Sequence, residues 1–245
     1  MRKNLGTRRQ PEESRRAILD AASREFAALG VAGARIDAIA GEAKVNKALL
    51  YYYFRDKEGL YGATLEYNFR GLLDELLRIL DGEGSAGQKM LAYALTHFNY
   101  VASHPHYRRL VQHEMMRAGT GSSVHFSKLV ENFFRPLLQR VVATVADGIK
   151  QGEFRQVQAV HFVHSMVAVI VFYFTAVPVM KEISGIDPLS PPALQVRREA
   201  MLDFIGSALF VDRDRAAEIT KHLLHASHPQ PSGKRLSARV KGRAK

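Results

Sequence analysis

The chain has 245 residues, of which 47% are hydrophobic and none is cysteine, and its formal net charge is +11. The absence of cysteine excludes disulfides, thiolate zinc sites and cysteine nucleophiles. The apolar content is sufficient for one large domain or two smaller ones. Because the first twenty residues contain no apolar stretch of signal-peptide length, we expect a cytoplasmic protein.

The positive charge is concentrated at the two ends of the chain. Residues 1–9 contain four basic residues and no acid, and residues 226–245 contain six basic residues and no acid. Basic arms of this kind suit contact with phosphate groups, although improved solubility explains the C-terminal one equally well. We predict a basic N-terminal arm at 1–11 and, from its Pro, Ser and Gly content without periodicity, a basic disordered tail at 228–245.

Helical periodicity dominates the rest of the chain, and alternating apolar and polar runs are short and few, so the sequence predicts an all-α protein. Gly30 is expected to end the first helix, and Pro136 is expected to kink the helix that contains it. The predicted helices cover residues 12–29, 36–43, 47–53, 56–80, 88–103, 106–118, 123–150, 157–181, 192–211 and 212–226.

The two short helices at 36–43 and 47–53 have the pattern of a helix-turn-helix unit. Val45 fills the turn between them, and Leu50 and Phe54 form the inward face of the second helix at i, i+4 spacing. The inward face of the first helix is formed by Ile36, Ile39 and Ala40.

The start of the second short helix is suited to reading DNA. Asn46 is a good N-cap, and Lys47, Leu49 and Tyr52 are expected to point outward just after it. A recognition helix presents its N-terminal residues to base edges in the major groove. The sequence therefore predicts a DNA-binding protein.

Residues 12–72 also carry a specific combination of motifs. These are Phe26 and Gly30, then Ile39-Ala40 and Val45, then Leu50-Tyr51-Tyr52-Tyr53-Phe54, and finally Asp56-Lys57-Glu58-Gly59-Leu60. With them the segment resembles the DNA-binding domain of the TetR family of bacterial repressors. The resemblance implies a three-helix DNA-binding domain with a helix-turn-helix at 12–72, followed at 73–227 by an antiparallel helical domain for effector binding and dimerisation.

The resemblance also implies how individual residues contact a double-stranded DNA operator. Lys47 and Leu49 would face bases, Tyr52 and Tyr53 would contact phosphates or base edges, and Lys57 would reach a phosphate from the start of the fourth helix. Two arginines of the N-terminal arm would enter the minor groove. The full implied set is Arg8, Arg9, Lys44, Asn46, Lys47, Leu49, Tyr52, Tyr53 and Lys57.

The turn departs from the family pattern in one position. Lys44 stands where the family usually has glycine, which would cost about 1 kcal/mol if the backbone there is left-handed. In the helix that follows, we expect Tyr51 and Phe54 to lie in the core, whereas core and DNA contact are equally good interpretations of Tyr53.

The predicted helix 157–181 contains an uncharged run from Val163 to Met180, whose length reaches the lower limit for a transmembrane helix. His164 and Pro178 interrupt this run, and a helix that packs on both its own core and a partner is also apolar all round. We therefore expect burial and no membrane association. The last two long helices of TetR-like proteins form a four-helix dimer interface, and 157–181 and 192–211 match that placement. A homodimer implies a near-palindromic operator.

A candidate effector site follows from polar and aromatic side chains on the predicted helices of the second domain. Such a set suits a small, largely apolar effector with a few polar anchors, although a filled core is the alternative interpretation. The candidate residues are Tyr93, His97, Tyr100, Met116, Phe133 and His164. We expect the effector to release the protein, as a repressor, from its operator.

Other chemistries have weaker support. Pairs of histidines three residues apart occur at His161 and His164 and at His222 and His225, but without a fixed third ligand we expect no metal. Gly82–Gly87 matches a dinucleotide-binding pattern but follows a helix rather than a strand, so we expect no cofactor. No catalytic motif is present, and we expect no enzyme. An open alternative is a DNA-binding protein whose input is a protein or membrane partner bound at 157–181.

Overall fold

The computed structural model describes residues 11–226, which are helical almost throughout, as the sequence predicts. Within this range the only pairing of extended backbone is an isolated bridge between Phe154 and Phe210. The helices are α1 (Pro11–Gly33), α2 (Ile36–Ala43), α3 (Lys47–Phe54), α4 (Lys57–Asp81), α5 (Ala86–Ser103), α6 (Pro105–Gly119), α7 (Phe126–Leu129), α8 (Arg135–Lys150), α9 (Ala159–Thr175), α10 (Val177–Ser184), α11 (Pro191–Leu209) and α12 (Arg213–Ala226).

Helices α1 to α3 form a small N-terminal unit, residues 11–54, that we call the head. Ile18 and Phe26 of α1 are fully buried, and Ile39 and Leu50 pack into the same core from α2 and α3. Gly30 has a φ of 64° and breaks α1 at the predicted position, leaving one further helical turn to Gly33. The head is therefore held by a compact core that leaves the outer surface of α3 uncovered.

Helix α4 joins the head to the remaining helices. The Asp56 side chain caps its first turn by accepting a hydrogen bond from Gly59 N at 2.7 Å. Gly59 itself is required there, because a Cβ atom would lie 2.3 Å from the carbonyl oxygen of Phe54. Helix α4 runs without interruption past residue 72, so the boundary that the sequence suggested at 72/73 falls inside a helix shared by both parts.

Helices α5 to α12, residues 86–226, form the larger part that we call the body. Its centre is α5, which contacts α4, α8, α9, α11 and α12. Ser85 begins α5 with a capping box: its hydroxyl accepts from Gln88 N, and the Gln88 side chain accepts from Ser85 N at 2.9 Å. The glycine-rich segment before α5 thus serves as a helix-capping loop.

Two predicted long helices are broken in the structure. The segment 123–150 contains α7, a π-helical turn at Val130–Phe134 and α8, so the irregularity expected at Pro136 lies in the turn that precedes it. The segment 157–181 is not one helix, because it divides at Ala176 into α9 and α10, which meet at an angle of 62°. Pro178 lies in the first turn of α10, where its missing N–H is tolerated.

The break also affects the membrane interpretation. Within residues 11–226 no single helix has both the length and the hydropathy that crossing a bilayer requires, and α9 and α10 meet the requirement only as a bent pair.

Candidate DNA-binding and effector sites

The turn between α2 and α3 has the geometry of a helix-turn-helix. Lys44 is left-handed, with φ 56° and ψ 45°, so the lysine occupies the strained position that favours glycine. The chain reverses through hydrogen bonds from Lys44 N to Gly41 O and from Val45 N to Ala40 O, both 3.1 Å. Val45 is half-buried beneath the turn, as predicted.

Helix α3 begins at its predicted cap. The Asn46 side chain accepts a hydrogen bond from Ala48 N at 2.8 Å, which orients the first turn. Leu50 and Phe54 are buried on the inner face, whereas the Tyr52 side chain is 80% exposed. The N-terminal part of α3 therefore presents an uncovered edge of the kind that enters a major groove.

Lys47 lies on this edge and is paired within the head. Its Nζ lies 2.8 Å from Asp37 Oδ1, and both side chains are exposed. The hydrogen bond from Lys47 and its charge lower the pKa of Asp37, and the same hydrogen bond raises the pKa of Lys47. Since exposed ion pairs are weak and easily exchanged, Lys47 is available to a DNA acceptor.

Other predicted contact residues are less exposed than expected. Leu49 and Tyr53 are half-buried, and the Tyr53 hydroxyl donates to Pro11 O at 3.2 Å. Lys57 Nζ donates to Ala32 O at 3.1 Å and so binds the end of α1. In contrast, the expectation that Tyr51 lies in the core is wrong: it is 45% exposed, because it lies on the outer face of α3. Arg8 and Arg9 lie outside the described residues.

The six candidate effector residues do not converge on one site. Met116 is 73% exposed on α6, and His164 is exposed on α9, where its Nδ1 lies 2.9 Å from Val160 O. Neither side chain lies in the interior of the body, because the periodicity of a helix does not show which face a bundle covers. Tyr93, His97 and Phe133 are buried, and Tyr100 is half-buried.

Four of the candidates do share the interior of the body. The rings of Tyr93 and His97 lie 5.8 Å apart on α5. Burial lowers the pKa of His97 to about 4, so the ring is neutral at neutral pH. Its Nδ1 atom is buried and has no hydrogen-bond partner within residues 11–226. An interior of this type, aromatic with an unpaired polar atom, is suited to a ligand with a polar anchor.

Aromatic contacts connect the remaining two candidates. The Tyr100 ring lies 5.3 Å from Tyr107, which lies 5.2 Å from Phe69, which in turn lies 6.0 Å from Phe133 in the π-helical turn. Burial raises the pKa values of Tyr100 and Tyr107, so both phenols stay protonated. These rings link α4, α5, α6 and the π-helical turn.

A polar cluster between the first turns of α4 and the end of α6 was not predicted. Arg117 donates to the Glu58 carboxylate at 2.9 Å, and His125 Nε2 lies 3.2 Å from the same carboxylate. The Tyr61 hydroxyl donates to the fully buried carboxylate of Glu114 at 3.1 Å, which also accepts a hydrogen bond from Ser123. The cluster links the start of α4, next to α3, to the body.

The local sequence gives little indication of this cluster, because its members on α4 are separated by more than fifty positions from the members on the α6–α7 segment that they contact. Gly62 is the nearest available signal. A Cβ atom at Gly62 would lie 2.5 Å from the His125 ring, so the α6–α7 segment approaches α4 closely at this point.

Helices α9 and α11 expose apolar side chains on one surface of the body. Phe172 of α9 is 67% exposed, and Val196 and Phe204 of α11 are similarly uncovered. An open groove of about 900 Å³ lies between these helices and α10. Exposed apolar surface of this kind marks interaction sites.

The described residues contain no group of three or more histidine, aspartate or glutamate side chains arranged to hold a metal ion.

Comparison with known proteins gives matches in both parts of the chain. Residues 18–64 match the model of bacterial regulatory proteins of the tetR family, and residues 88–205 match the tetracyclin repressor-like C-terminal domain. The HTH-type transcriptional repressor SCO4008 of Streptomyces coelicolor is 36% identical over 147 residues, which cover 59% of this chain and 69% of that protein. The HTH-type transcriptional regulator RutR of Escherichia coli is 28% identical over 187 residues, 75% of this chain and 84% of RutR.

Solved structures with the same fold include regulators of several kinds. A gamma-butyrolactone receptor, described as an ArpA-like protein, is 20% identical, covers 88% of this chain and 98% of its own, and has a TM-score of 0.66. A transcriptional regulator from Saccharomonospora viridis in complex with choline is 20% identical, covers 82% of this chain and 100% of its own, and has a TM-score of 0.65. The named relatives are regulators and repressors, in agreement with the expectation of a non-enzymatic protein.

Proposed function

Since the chain belongs to the TetR family of bacterial regulatory proteins and is a DNA-binding transcriptional regulator, we propose that it is a homodimeric repressor, released from a near-palindromic operator by a small effector. The observation that carries the proposal is the N-capped edge of α3, with Tyr52 uncovered and Lys47 held only by an exposed ion pair. A regulator of this kind acts where chromosomal DNA is, so we propose a cytoplasmic location.

Operator contact is proposed for one edge of the head. Tyr52 and Lys47 reach bases or phosphates from the exposed side of α3, and Leu49 and Tyr53 support the same surface from half-buried positions. The flanking positions Lys44, Asn46 and Lys57, together with Arg8 and Arg9, complete the proposed set. Lys57 must leave the carbonyl of Ala32 to reach a phosphate, so its contribution is smaller than its charge suggests.

Selection of duplex DNA from a random pool by the purified full chain tests this proposal. A repeated near-palindromic site is expected, because two identical heads read opposite half-sites. Lys47→Ala is expected to weaken binding to the selected site. Lys128→Ala removes an exposed lysine of the body and is the matched control, with no effect expected. Equal losses of affinity for the selected site in both variants, or no loss in either, contradict the placement of the DNA-contacting edge on α3.

Dimerisation is proposed through the apolar surface of α9 and α11. The exposed Phe172, Val196 and Phe204 side chains belong at an interface that pairs these helices with their copies. Phe172→Glu is expected to produce monomers in analytical ultracentrifugation, whereas Met116→Glu, at an equally exposed position on α6, is expected to remain dimeric. A dimeric Phe172→Glu protein contradicts this interface.

The effector is proposed to bind the interior of the body near Tyr93, His97, Tyr100 and Phe133. The support is the buried aromatic side chains together with the unpaired Nδ1 of His97. A screen of small molecules by thermal denaturation is expected to find compounds that raise Tm and also reduce operator affinity. If no compound stabilises the protein and operator binding is constitutive, the regulatory half of the proposal fails while DNA binding stands.

A further inference from the structure

Three half-buried arginines of the body, Arg108, Arg197 and Arg198, have no carboxylate partner. None of the ion pairs formed within residues 11–226 involves any of them. Burial lowers the pKa of each guanidinium, and no carboxylate offsets this effect. An unpaired charge in this position opposes folding rather than supporting it.

Arg117 shows how the same fold treats a guanidinium that has a structural role. It lies on α6, the helix that carries Arg108, and it also lies over an aromatic ring, that of Tyr61 at 5.1 Å. Burial lowers its pKa, but Glu58 at 2.9 Å together with Tyr61 and Glu114 more than compensates, and the net pKa is raised. Glu114 lies 3.8 Å away as a second carboxylate. Arg108 lies on the same helix and makes the same kind of ring contact, but it forms no ion pair with an acidic side chain in residues 11–226.

The three unpaired arginines are brought together by one group of aromatic rings. Arg108 lies over Phe174 at 5.2 Å, and Arg198 lies over Phe98 at 5.9 Å. Phe98 and Phe174 lie 5.0 Å apart, so two guanidinium groups contact neighbouring rings. We call this group the arginine–aromatic cluster, and its members are Arg108, Arg197, Arg198, Phe98, Tyr173 and Phe174.

The hydrogen bonds of the cluster leave donors without acceptors. Stacking on a ring uses the face of a guanidinium and leaves the N–H groups at its edge available. Within residues 11–226, Arg108 Nη1 and Arg197 Nε are buried without a partner. Arg198 Nε is satisfied only by a neutral amide, Asn99 Oδ1 at 2.6 Å. Arg117 Nη1 is likewise buried without a hydrogen-bond partner, but it lies 3.8 Å from the Glu114 carboxylate. The unpartnered nitrogens of the cluster are guanidinium donors that form no ion pair in residues 11–226, so the group they lack is an acceptor.

We infer that the arginine–aromatic cluster binds the oxyanion, a carboxylate or phosphate group, of a small ligand, with Arg108 as its main contact and Arg198 as the second. The planar edge of a guanidinium matches the two oxygens of such a group, and charge-assisted hydrogen bonds would satisfy the buried donors. If this ligand is the effector, an identification that rests on the proposed function, the effector is an amphipathic anion rather than a neutral apolar molecule.

The first test needs no ligand. Arg108→Met keeps a long apolar side chain against Phe174 and removes the unpaired charge, so its Tm is expected to equal or exceed that of the wild type. Arg117→Met is the matched control on the same helix, and its Tm is expected to fall by several degrees because Glu58 and the buried Glu114 lose the guanidinium that faces both of them. A large Tm loss in Arg108→Met, similar to that in Arg117→Met, indicates a structural arginine and overturns the inference.

The second test uses sodium benzoate and sodium phenyl phosphate as probes, with benzyl alcohol as the neutral analogue and sodium chloride at matched ionic strength. An oxyanion that binds the cluster is expected to raise the wild-type Tm by about 2 to 4 °C, and benzyl alcohol is expected to have no effect. The shift is expected to disappear in Arg108→Met and Arg198→Met and to persist in Arg117→Met. A response to benzoate alone identifies a carboxylate, and a response to phenyl phosphate alone identifies a phosphate.

No shift with either oxyanion, or a shift that persists in Arg108→Met, overturns the inference. Operator affinity measured on the same samples separates it from the proposed function. Without probe, Arg108→Met is expected to bind the operator like the wild type, since within residues 11–226 the ring contacts and hydrogen bonds of the cluster involve α5, α6, α9 and α11 and not α3. A probe that binds at Arg108 without releasing the operator leaves the oxyanion site intact and refutes only its identification with the effector.

Discussion

Helix α3, the proposed recognition helix, and the central helix α5 are stabilised in opposite ways. Helix α3 has eight residues, buries only Leu50 and Phe54, and depends on its cap at Asn46. Helix α5 has eighteen residues, buries ten of them, and contacts helices on several sides. Substitutions on α3 can therefore change what the protein binds without changing its stability. Substitutions of the buried residues of α5 affect stability first.

The largest expected effect is on α5. Phe98→Ala removes a fully buried ring that contacts Phe174, and we expect the free energy of unfolding to fall by about 3 to 5 kcal/mol. Urea denaturation measures the loss. Tyr52→Ala removes a ring of similar size from the exposed side of α3 and is expected to leave the urea midpoint unchanged. Similar losses in both variants would end the distinction between the two helices.

The pH dependence of α5 follows from His97. Its pKa is about 4 in the folded protein and about 6.5 when exposed, because burial disfavours the charged form. The unfolded chain therefore takes up the proton first. The contribution of the neutral His97 ring to the free energy of unfolding, about 3 kcal/mol, is fully present above pH 6.5 and is lost as the pH falls towards 4. Denaturation of wild type and His97→Leu at several pH values measures this, and parallel pH profiles of the two proteins would contradict it.

For α3 the effect is on DNA binding. We expect Tyr52→Ala to weaken operator binding by about 1 to 3 kcal/mol, because its exposed ring contacts bases or phosphates only in the complex. Fluorescence anisotropy at fixed salt measures the affinity. Tyr67→Phe is the control: it removes a hydroxyl on α4 that donates a hydrogen bond to Asp20 of α1, and this variant should bind the operator as the wild type does. Unchanged affinity of Tyr52→Ala would show that α3 is not the reading helix.

The smallest effect concerns the turn before α3. Lys44→Gly relieves a left-handed backbone with φ 56°, and we expect the free energy of unfolding to rise by about 1 kcal/mol. If Lys44 also contacts a phosphate, operator affinity falls at the same time, and the salt dependence of binding decreases by about one unit of slope. A less stable variant would show that the lysine side chain stabilises the turn more than its backbone strains it.

The head could be predicted closely from sequence because its signals are local. Asn46 marks the start of α3, the spacing of Leu50 and Phe54 fixes its inner face, and Gly30 marks the end of the regular part of α1. All three determine structure within one or two turns of themselves. Tyr51 is the exception: an aromatic residue between two others suggests a core position, whereas DNA-binding surfaces also use exposed rings.

The body was less predictable because its determinants are distant in sequence. An apolar run from Val163 to Met180 contains no signal for the 62° bend at Ala176 other than Pro178, and prolines also occur within continuous helices. The positions of Met116 and His164 depend on which helices cover them. The pairing of Tyr61 with Glu114 joins residues 53 positions apart. Tertiary packing determines each of these features, and the periodicity within one helix does not show how that helix packs against the others.

The uninterrupted course of α4 has a mechanical consequence for operator recognition. Its 25 residues span about 37 Å, from the Asp56 cap beside α3 to the base of the body at Asp81. A tilt of about 5° at the far end of such a rod shifts the near end by roughly 3 Å. That displacement is comparable to the spacing of about 3.4 Å between successive base pairs. In the proposed dimer, small rearrangements around a bound effector would therefore be enough to move each α3 out of register with its half-site.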